Sequence, residues 1–287
     1  MINSFRLVLE SDFRCDSLLP VHEFHAGPSC PVMGGIFLEF DWHSNNQVFL
    51  PCSISGIMIF REATREDWPA ISDISRRSGY EDYINRLGPS YLDEGTVLIA
   101  EDGVPVGFSK VEMMADGATW LSGLRVDPDH WRRGIGSQLT RNGVDISRRM
   151  GAYAARMLVE ASNYRSRALS EKMLFREAES CRFYEQGVDL DGYSEARFKD
   201  STYVAAGWKF MRADRAPDIP GRFFSNGPNL VFAADDGRSF HVLSSGEPVK
   251  PADEGMTICS SGIREDLFAR LRRMEDFPAA IVYEMIL

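Results

Sequence analysis

The residues Arg132-Arg133-Gly134-Ile135-Gly136-Ser137 stand at a point where a chain can hold an anion. Helical spacing follows them, with apolar residues at Ile135, Leu139, Ile146 and Met150. Glycines at a helix start let the backbone approach a ligand, while unpaired N–H groups and the positive helix end attract negative charge. Two arginines add cations. The expected chemistry is phosphate binding. A P-loop is excluded, because no Lys-Ser/Thr follows the glycines, and the Rossmann spacing lacks its third Gly.

The elements that position this loop follow from pattern. Before it, Trp120, Leu121, Leu124 and Val126 read as a strand, closed by Asp127-Pro128-Asp129. After it come the helix, a strand over 152–160, and Asn163-Tyr-Arg-Ser166-Arg-Ala-Leu169-Ser170-Glu-Lys172-Met-Leu174-Phe175.

This pair of motifs resembles the GNAT superfamily of acyl-CoA-dependent N-acyltransferases. The glycine loop is similar to its pyrophosphate motif, [Q/R]-x-x-G-x-[G/A]. The segment from Asn163 is similar to its N-x-x-[A/S]-x-x-L-Y-x-K-x-G-F motif. Their order, the strand between them and the spacing agree over roughly 58–184. The sequence departs in three places: Trp131 replaces the usual Gln or Arg, Leu174 the usual Gly, and Ser170 the usual Tyr.

The resemblance implies acetyl-CoA as donor and a primary amine, of a small molecule or a protein N-terminus, as acceptor. The pyrophosphate maps to N–H groups of Arg133, Gly134, Ile135, Gly136 and Ser137, with ion pairs from Arg132 and Arg133. The pantetheine arm maps to the backbone of Leu124, Arg125 and Val126, where added hydrogen bonds extend a strand. Asn163 is expected on the pantetheine or thioester end; it also reads as a helix N-cap with Ser166 as its partner. An N–H near Leu124 would stabilise the developing oxyanion.

The amine must lose a proton, and Glu112 and Glu160 are the candidate bases, Glu112 preferred. Ser170 stands where the family's Tyr protonates the leaving thiolate. Serine is a poor acid, but a thiol of pKa about 8.5 can leave unaided. Two other functions compete: a catalytically silent acyl-CoA-binding regulatory module, which the changes at Ser170 and Leu174 would suit, and a scaffold whose C-terminal part does the work.

Composition sets further bounds. The chain has 287 residues, 44% of them hydrophobic, and 42 acids against 32 bases, for a net charge of −10. That balance disfavours nonspecific binding to nucleic acid or an anionic membrane. Cys15, Cys30, Cys52, Cys181 and Cys259 show no zinc spacing, and His22 and His25 read as scattered loop residues, so no metal is expected. Free thiols, no signal-peptide pattern and no membrane-length apolar run give a cytoplasmic expectation, with a homodimer left open.

The expected fold is α/β (α+β): a GNAT-type mixed sheet flanked by helices, plus a smaller C-terminal α+β domain. Residues 1–57 read as a poorly ordered extension or an upstream mis-annotation with Met58 as initiator. Residues 58–185 read as the acyltransferase domain. There Thr64-Arg-Glu-Asp67 is a capping box, before a helix through Trp68, Ile71 and Ile74. A second helix with loops is expected over 79–95, including Tyr80. The segment 187–199 reads as a loop. Residues 200–287 read as a separate domain with strands at 203–210, 229–233, 239–243, 256–259 and 280–287, and a helix through Leu267, Phe268, Leu271 and Met274. That domain repeats no glycine motif, so no second CoA site is expected. The roles open to it are covering the acceptor site, dimerisation, or being a worn copy of the acyltransferase fold.

Overall fold

The computed structural model describes residues 58–79, 83–216 and 218–287. The expectations placed on 1–57 and on Tyr80 lie outside the described residues.

Apolar-rich runs build β1 (Ile59–Glu62), β2 (Thr96–Glu101), β3 (Pro105–Met113) and β4 (Thr119–Val126), each antiparallel to the last in the order β1-β2-β3-β4. The capping box forms: Thr64 N–H donates to Asp67 Oδ2 at 2.7 Å, and α1 (Trp68–Arg77) starts behind it. The region expected as a second helix is a short α2 (Tyr83–Leu87) followed by a 3₁₀ turn over Gly88–Leu92.

Helix α3 (Ile135–Arg149) buries Ile135, Leu139, Val144 and Ile146. It can lie close on the sheet because Gly143 has no side chain: a Cβ there would stand 3.3 Å from Leu121 and 3.4 Å from Val111. Strand β5 (Ala154–Glu160) returns parallel to β4, then α4 (Tyr164–Lys172) leads to β6 (Arg176–Tyr184).

The later strands are β7 (Ser194–Ala196), β8 (Tyr203–Ala206), β9 (Lys209–Arg212), β10 (Gly221–Ser225), β11 (Leu230–Ala234), β12 (Ser239–Ser244), β13 (Met256–Ser260) and β14 (Ala279–Ile286). All but the β8/β9 hairpin join one 12-stranded sheet, ordered β1-β2-β3-β4-β5-β14-β6-β13-β12-β11-β10-β7.

The division drawn at 185 and 200 therefore does not follow the sheet. Strand β14, the last of the chain, lies between β5 and β6, pairing Ile281 with Val159 on one side and Ser180 on the other. Residues 185–278 are a segment spliced into the chain between β6 and β14, and their strands, the β8/β9 hairpin apart, extend the same sheet outwards from β6.

The two sides of the sheet match. From each edge inward, three antiparallel pairings precede one parallel pairing: β4 with β5, and β12 with β13. The difference lies in the parallel pair. Strands β12 and β13 pair at four positions, Ser239 to Val242, but β4 and β5 only at Thr119 and Trp120. The loop 245–255 stands where the first side has α3.

Three local expectations change. The strand at 203–210 is a hairpin turning at Gly207, whose φ of 59° favours glycine. The helix through 267–274 is a 3₁₀ turn at Glu265–Phe268, because the chain re-extends to pair with the end of β6: Glu185 N–H donates to Arg272 O, and Met274 N–H to Phe183 O. The loop 187–199 contains β7, and β10 was not anticipated.

Polar groups sit inside this frame at two places. Arg156 on β5 is fully buried and donates to Asp116 Oδ2 at 2.5 Å, to Glu284 Oε2 of β14 at 2.6 Å, and to the Tyr153 hydroxyl. Asp116 Oδ2 also accepts the Arg212 N–H of β9 at 2.8 Å. His241 on β12 is buried among apolar groups, edge-on to Phe210, and neither ring nitrogen has a hydrogen-bond partner among the described residues.

Two stability predictions follow from these groups. Arg156→Met strands the buried Asp116 and the partly buried Glu284 and is expected to lower unfolding free energy by about 3–5 kcal/mol, read from urea titrations. Burial pushes the His241 pKa down to about 3. The unfolded chain then binds a proton near pH 6.5 that the folded one refuses. Stability should fall as pH drops from about 6.5 towards 3, by up to about 1.4 kcal/mol per pH unit. Urea midpoints of His241→Leu against the native chain across that window should differ by this slope.

Candidate active site

The site begins where β4 leaves β5. After Trp120↔Arg156 no pairing joins them among the described residues, so the edge of β4 from Leu121 to Val126 is open to a ligand. On its other edge β4 carries a bulge. Phe108 pairs with Arg125 and Lys110 with Ser122, so Gly123 and Leu124 together face one residue of β3. Gly123 has φ 62°, and a Cβ on it would meet Tyr91 Oη at 2.2 Å. Only glycine meets both demands.

At the far end of β4, residues 131–137 form the loop expected to hold phosphate. Arg132 and Gly134 have positive φ, 65° and 77°. Backbone alternating through such angles turns successive N–H groups inward, making an anion-binding concavity. Gly134 caps α3 with no side chain on the first N–H groups.

An outer cavity of about 530 Å³ opens here, lined by Leu124, Arg125, Val126, Arg132, Gly134, Ile135, Gly136, Ser137, Asn163 and Ser166, all anticipated from sequence. Its size falls within the range of small-ligand sites. Arg133 is absent from this lining: its side chain is exposed and turns to Asp102, 3.4 Å away. Sequence reasoning missed Arg165 and gave Trp131 no part, yet both line the cavity, with the Arg165 guanidinium 5.5 Å from the indole centroid. The Trp131 indole N–H donates to Val126 O at 2.7 Å, so this departure from the motif tethers the loop to β4.

An inner cavity of about 210 Å³ continues through the splay and shares Leu124, Arg125, Asn163, Ser166 and Leu169 with the outer one. Lys110, Ser109, Ser122, Leu158, Glu160, Ser170 and Phe277 also line it. Asn163 caps α4 by accepting the Ser166 N–H at 3.0 Å. The Ser170 hydroxyl turns back into its own helix, donating to Ser166 O at 2.9 Å.

The two candidate bases are separated. Glu160 lines the inner cavity and accepts a hydrogen bond from the Ser162 hydroxyl. Glu112, preferred from sequence, is not part of that lining. Its Oε1 is paired with Lys209 Nζ at 2.8 Å and stands 3.9 Å from Lys110 Nζ. Nothing local marked Phe277 as a lining residue or Lys209 as the partner of Glu112, because each comes from the spliced segment.

Leu174, where the motif has Gly, adopts φ 68° with its side chain exposed. The turn thus keeps the backbone shape of the usual residue and bears the strain of a non-glycine residue there. Among the described residues no group of His, Cys, Asp and Glu could hold a metal, and no helix is long and apolar enough to cross a membrane.

Residues 58–175 match the family model described as Acetyltransferase (GNAT) family. The chain contains a GNAT acetyltransferase domain. It is 29% identical over 128 residues to the [ribosomal protein bS18]-alanine N-acetyltransferase of Escherichia coli K12, covering 43% of this chain and 84% of that protein. It is 30% identical over 122 residues to the mycothiol acetyltransferase of Clavibacter sepedonicus, covering 39% of this chain and 40% of that protein. A putative acetyltransferase from Thermoplasma acidophilum shares the fold over 80% of this chain and all of that one, with TM-score 0.50 and 18% identity. This fold likeness reaches beyond the family match into the spliced segment. The chain is an N-acetyltransferase that takes its acetyl group from acetyl-CoA and passes it to an amine.

A pair of substitutions tests the phosphate loop. A Cβ on Gly136 meets only ordinary contacts, Leu169 at 3.7 Å and Leu124 at 3.8 Å. Gly136→Ala should therefore keep CoA affinity within a few-fold. Gly136→Glu sets a carboxylate against the phosphates and should weaken calorimetric CoA binding by about 10²-fold or more.

Proposed function

We propose that this protein acetylates the primary amine of a small molecule by direct transfer, with Glu160 as the group that accepts the amine's proton. The observation that carries this reading is the continuity of the two cavities through the β4/β5 splay. An anion cradle at one end thereby communicates with a narrow, carboxylate-bearing chamber at the other.

The donor's pyrophosphate lies on the N–H groups of 133–137, beside Arg132. Its pantetheine arm runs along the open edge of β4 at Leu124, Arg125 and Val126, in the manner of an added strand. Asn163 and Ser166 border both cavities and flank the arm.

The amine nitrogen attacks the acetyl carbonyl carbon. A proton passes from nitrogen to Glu160, directly or through water, and the carbon–sulfur bond breaks to give amide and CoA thiolate. The bulge frees N–H groups near Leu124 from the β3 ladder, which suits them to the oxyanion. With its hydroxyl committed to Ser166 O, Ser170 leaves the thiolate to take its proton from solvent. Glu112, committed to Lys209, acts on the site's charge rather than on the proton.

The small inner chamber, closed on one side by Phe277, favours a small acceptor over a protein terminus. Thiol release from acetyl-CoA across a panel of amines tests the activity. Glu160→Gln should lower kcat by about 10²-fold or more and remove the acid limb of the pH–rate profile, while Glu112→Gln should keep that limb. Loss of the limb in Glu112→Gln alone would transfer the proton to Glu112. CoA binding with no thiol release on any amine would make the protein a silent acyl-CoA binder.

A further inference from the structure

The inner chamber has two faces, and strand alternation assigns its residues to them. Leu121, Met157 and Val159 pack with Val144 and Phe175 on the side of α3 and α4. Trp120, Leu158 and Phe277 pack together on the opposite side, against the spliced segment. Ser122 shares the face of Trp120, and Glu160 that of Leu158. Lys110 is the direct cross-strand partner of Ser122, so their side chains are neighbours on this second face.

Lys110 is an unusual residue to find there. Its side chain is 7% exposed, and an ammonium taken from water demands compensation. It donates to Tyr91 O at 2.9 Å and lies 4.6 Å from the Tyr91 ring centroid. No carboxylate among the described residues is within hydrogen-bond reach: Glu112 is nearest at 3.9 Å, and its Oε1 is held by Lys209. An ammonium has three N–H donors. Beside it, the Ser122 hydroxyl is buried and has no hydrogen-bond partner among the described residues. Both line the chamber, and across the splay on the same face stands Glu160.

We infer that the acceptor is an amino acid or a similarly small amino-carboxylate, whose carboxylate is held by the Lys110 ammonium and the Ser122 hydroxyl while its amine faces Glu160. This rests on the acetyl-transfer reading above and names its substrate class. A cation at one end of the face and an anion at the other complement a zwitterion in one orientation only. That orientation sends the amine towards the open edge of β4, where the thioester is expected. Glu112 and Lys209 are positioning residues: Lys209, brought in by the β8/β9 hairpin, occupies Glu112 and leaves the Lys110 ammonium available to a substrate anion.

The test compares each of several amino acids with its carboxamide and its decarboxylated amine, using acetyl-CoA and thiol release. In the native protein kcat/KM should favour the carboxylate by about 10–100-fold, the worth of charge-assisted hydrogen bonds. Lys110→Met has nearly the same volume and suits a buried site. It should collapse that ratio to a few-fold, through a raised KM for the carboxylate and with a far smaller change for the carboxamide. Ser122→Ala, a milder change, should lower the ratio several-fold and leave CoA affinity as it was. Carboxamides used as well as carboxylates by the native protein would overturn the inference and leave acetyl transfer standing. So would a Lys110→Met variant that slows both acceptors equally. Absence of thiol release with every amine would overturn the acetyl-transfer reading and this inference with it.

Discussion

A guanidinium with no exposed surface sits at the point where the sheet begins to open. Arg156 is the last residue of β5 to face β4, across from Trp120. Burying its charge is tolerable only because Asp116, Glu284 and the Tyr153 hydroxyl converge on it. The two carboxylates come from the turn before β4 and from β14, the hydroxyl from the residue before β5, and Asp116 in turn fixes the β9 backbone at Arg212. One compensated charge thus ties β4, β5, the last strand and the β8/β9 hairpin together just below the splay. Beyond it β4 and β5 separate, and β5 is held from its other edge by β14 from Ala154 to Glu160. The cleft can open because the strand that loses one neighbour has gained another.

The matched halves of the sheet show what makes a cleft. Both present a parallel pair at the same place, yet only the first diverges. There α3 lies close on the sheet at Gly143, and its N-terminus opens onto the outer cavity through the positive-φ residues Arg132 and Gly134. The second half has neither helix nor glycine loop between β12 and β13, and its parallel strands stay zipped over four residues. That half serves the first: it supplies Phe277 to the chamber wall and Lys209 to Glu112.

The departures from the family motif find physical explanations of different strength. Trp131 replaces a polar residue yet contributes an indole N–H to Val126 O and a face to Arg165. Leu174 accepts a left-handed backbone that glycine would adopt freely. Ser170 keeps its hydroxyl on its own helix, so no phenol acid stands at that position.

The sequence by itself determined the local backbone geometry of the candidate donor site. Glycine spacing, the capping Asn163 and the alternation of β4 are local signals, because a helix start and a strand edge bind through backbone groups that neighbours in sequence set. Strands β4 and β5 and helices α1, α3 and α4 were legible for the same reason. What only the tertiary structure decided was long-range. That β14 would complete the sheet between β5 and β6 depends on pairing between segments far apart in the chain, such as Ala279 with Arg182, and no local period encodes it. The β8/β9 hairpin and the lost helix near Leu271 were settled by tertiary pairing and packing against the body. The same holds for the carboxylates. Glu112 and Glu160 look alike as sequence, and only the arrival of Lys209 from a distant turn ties up one while the other lines the chamber.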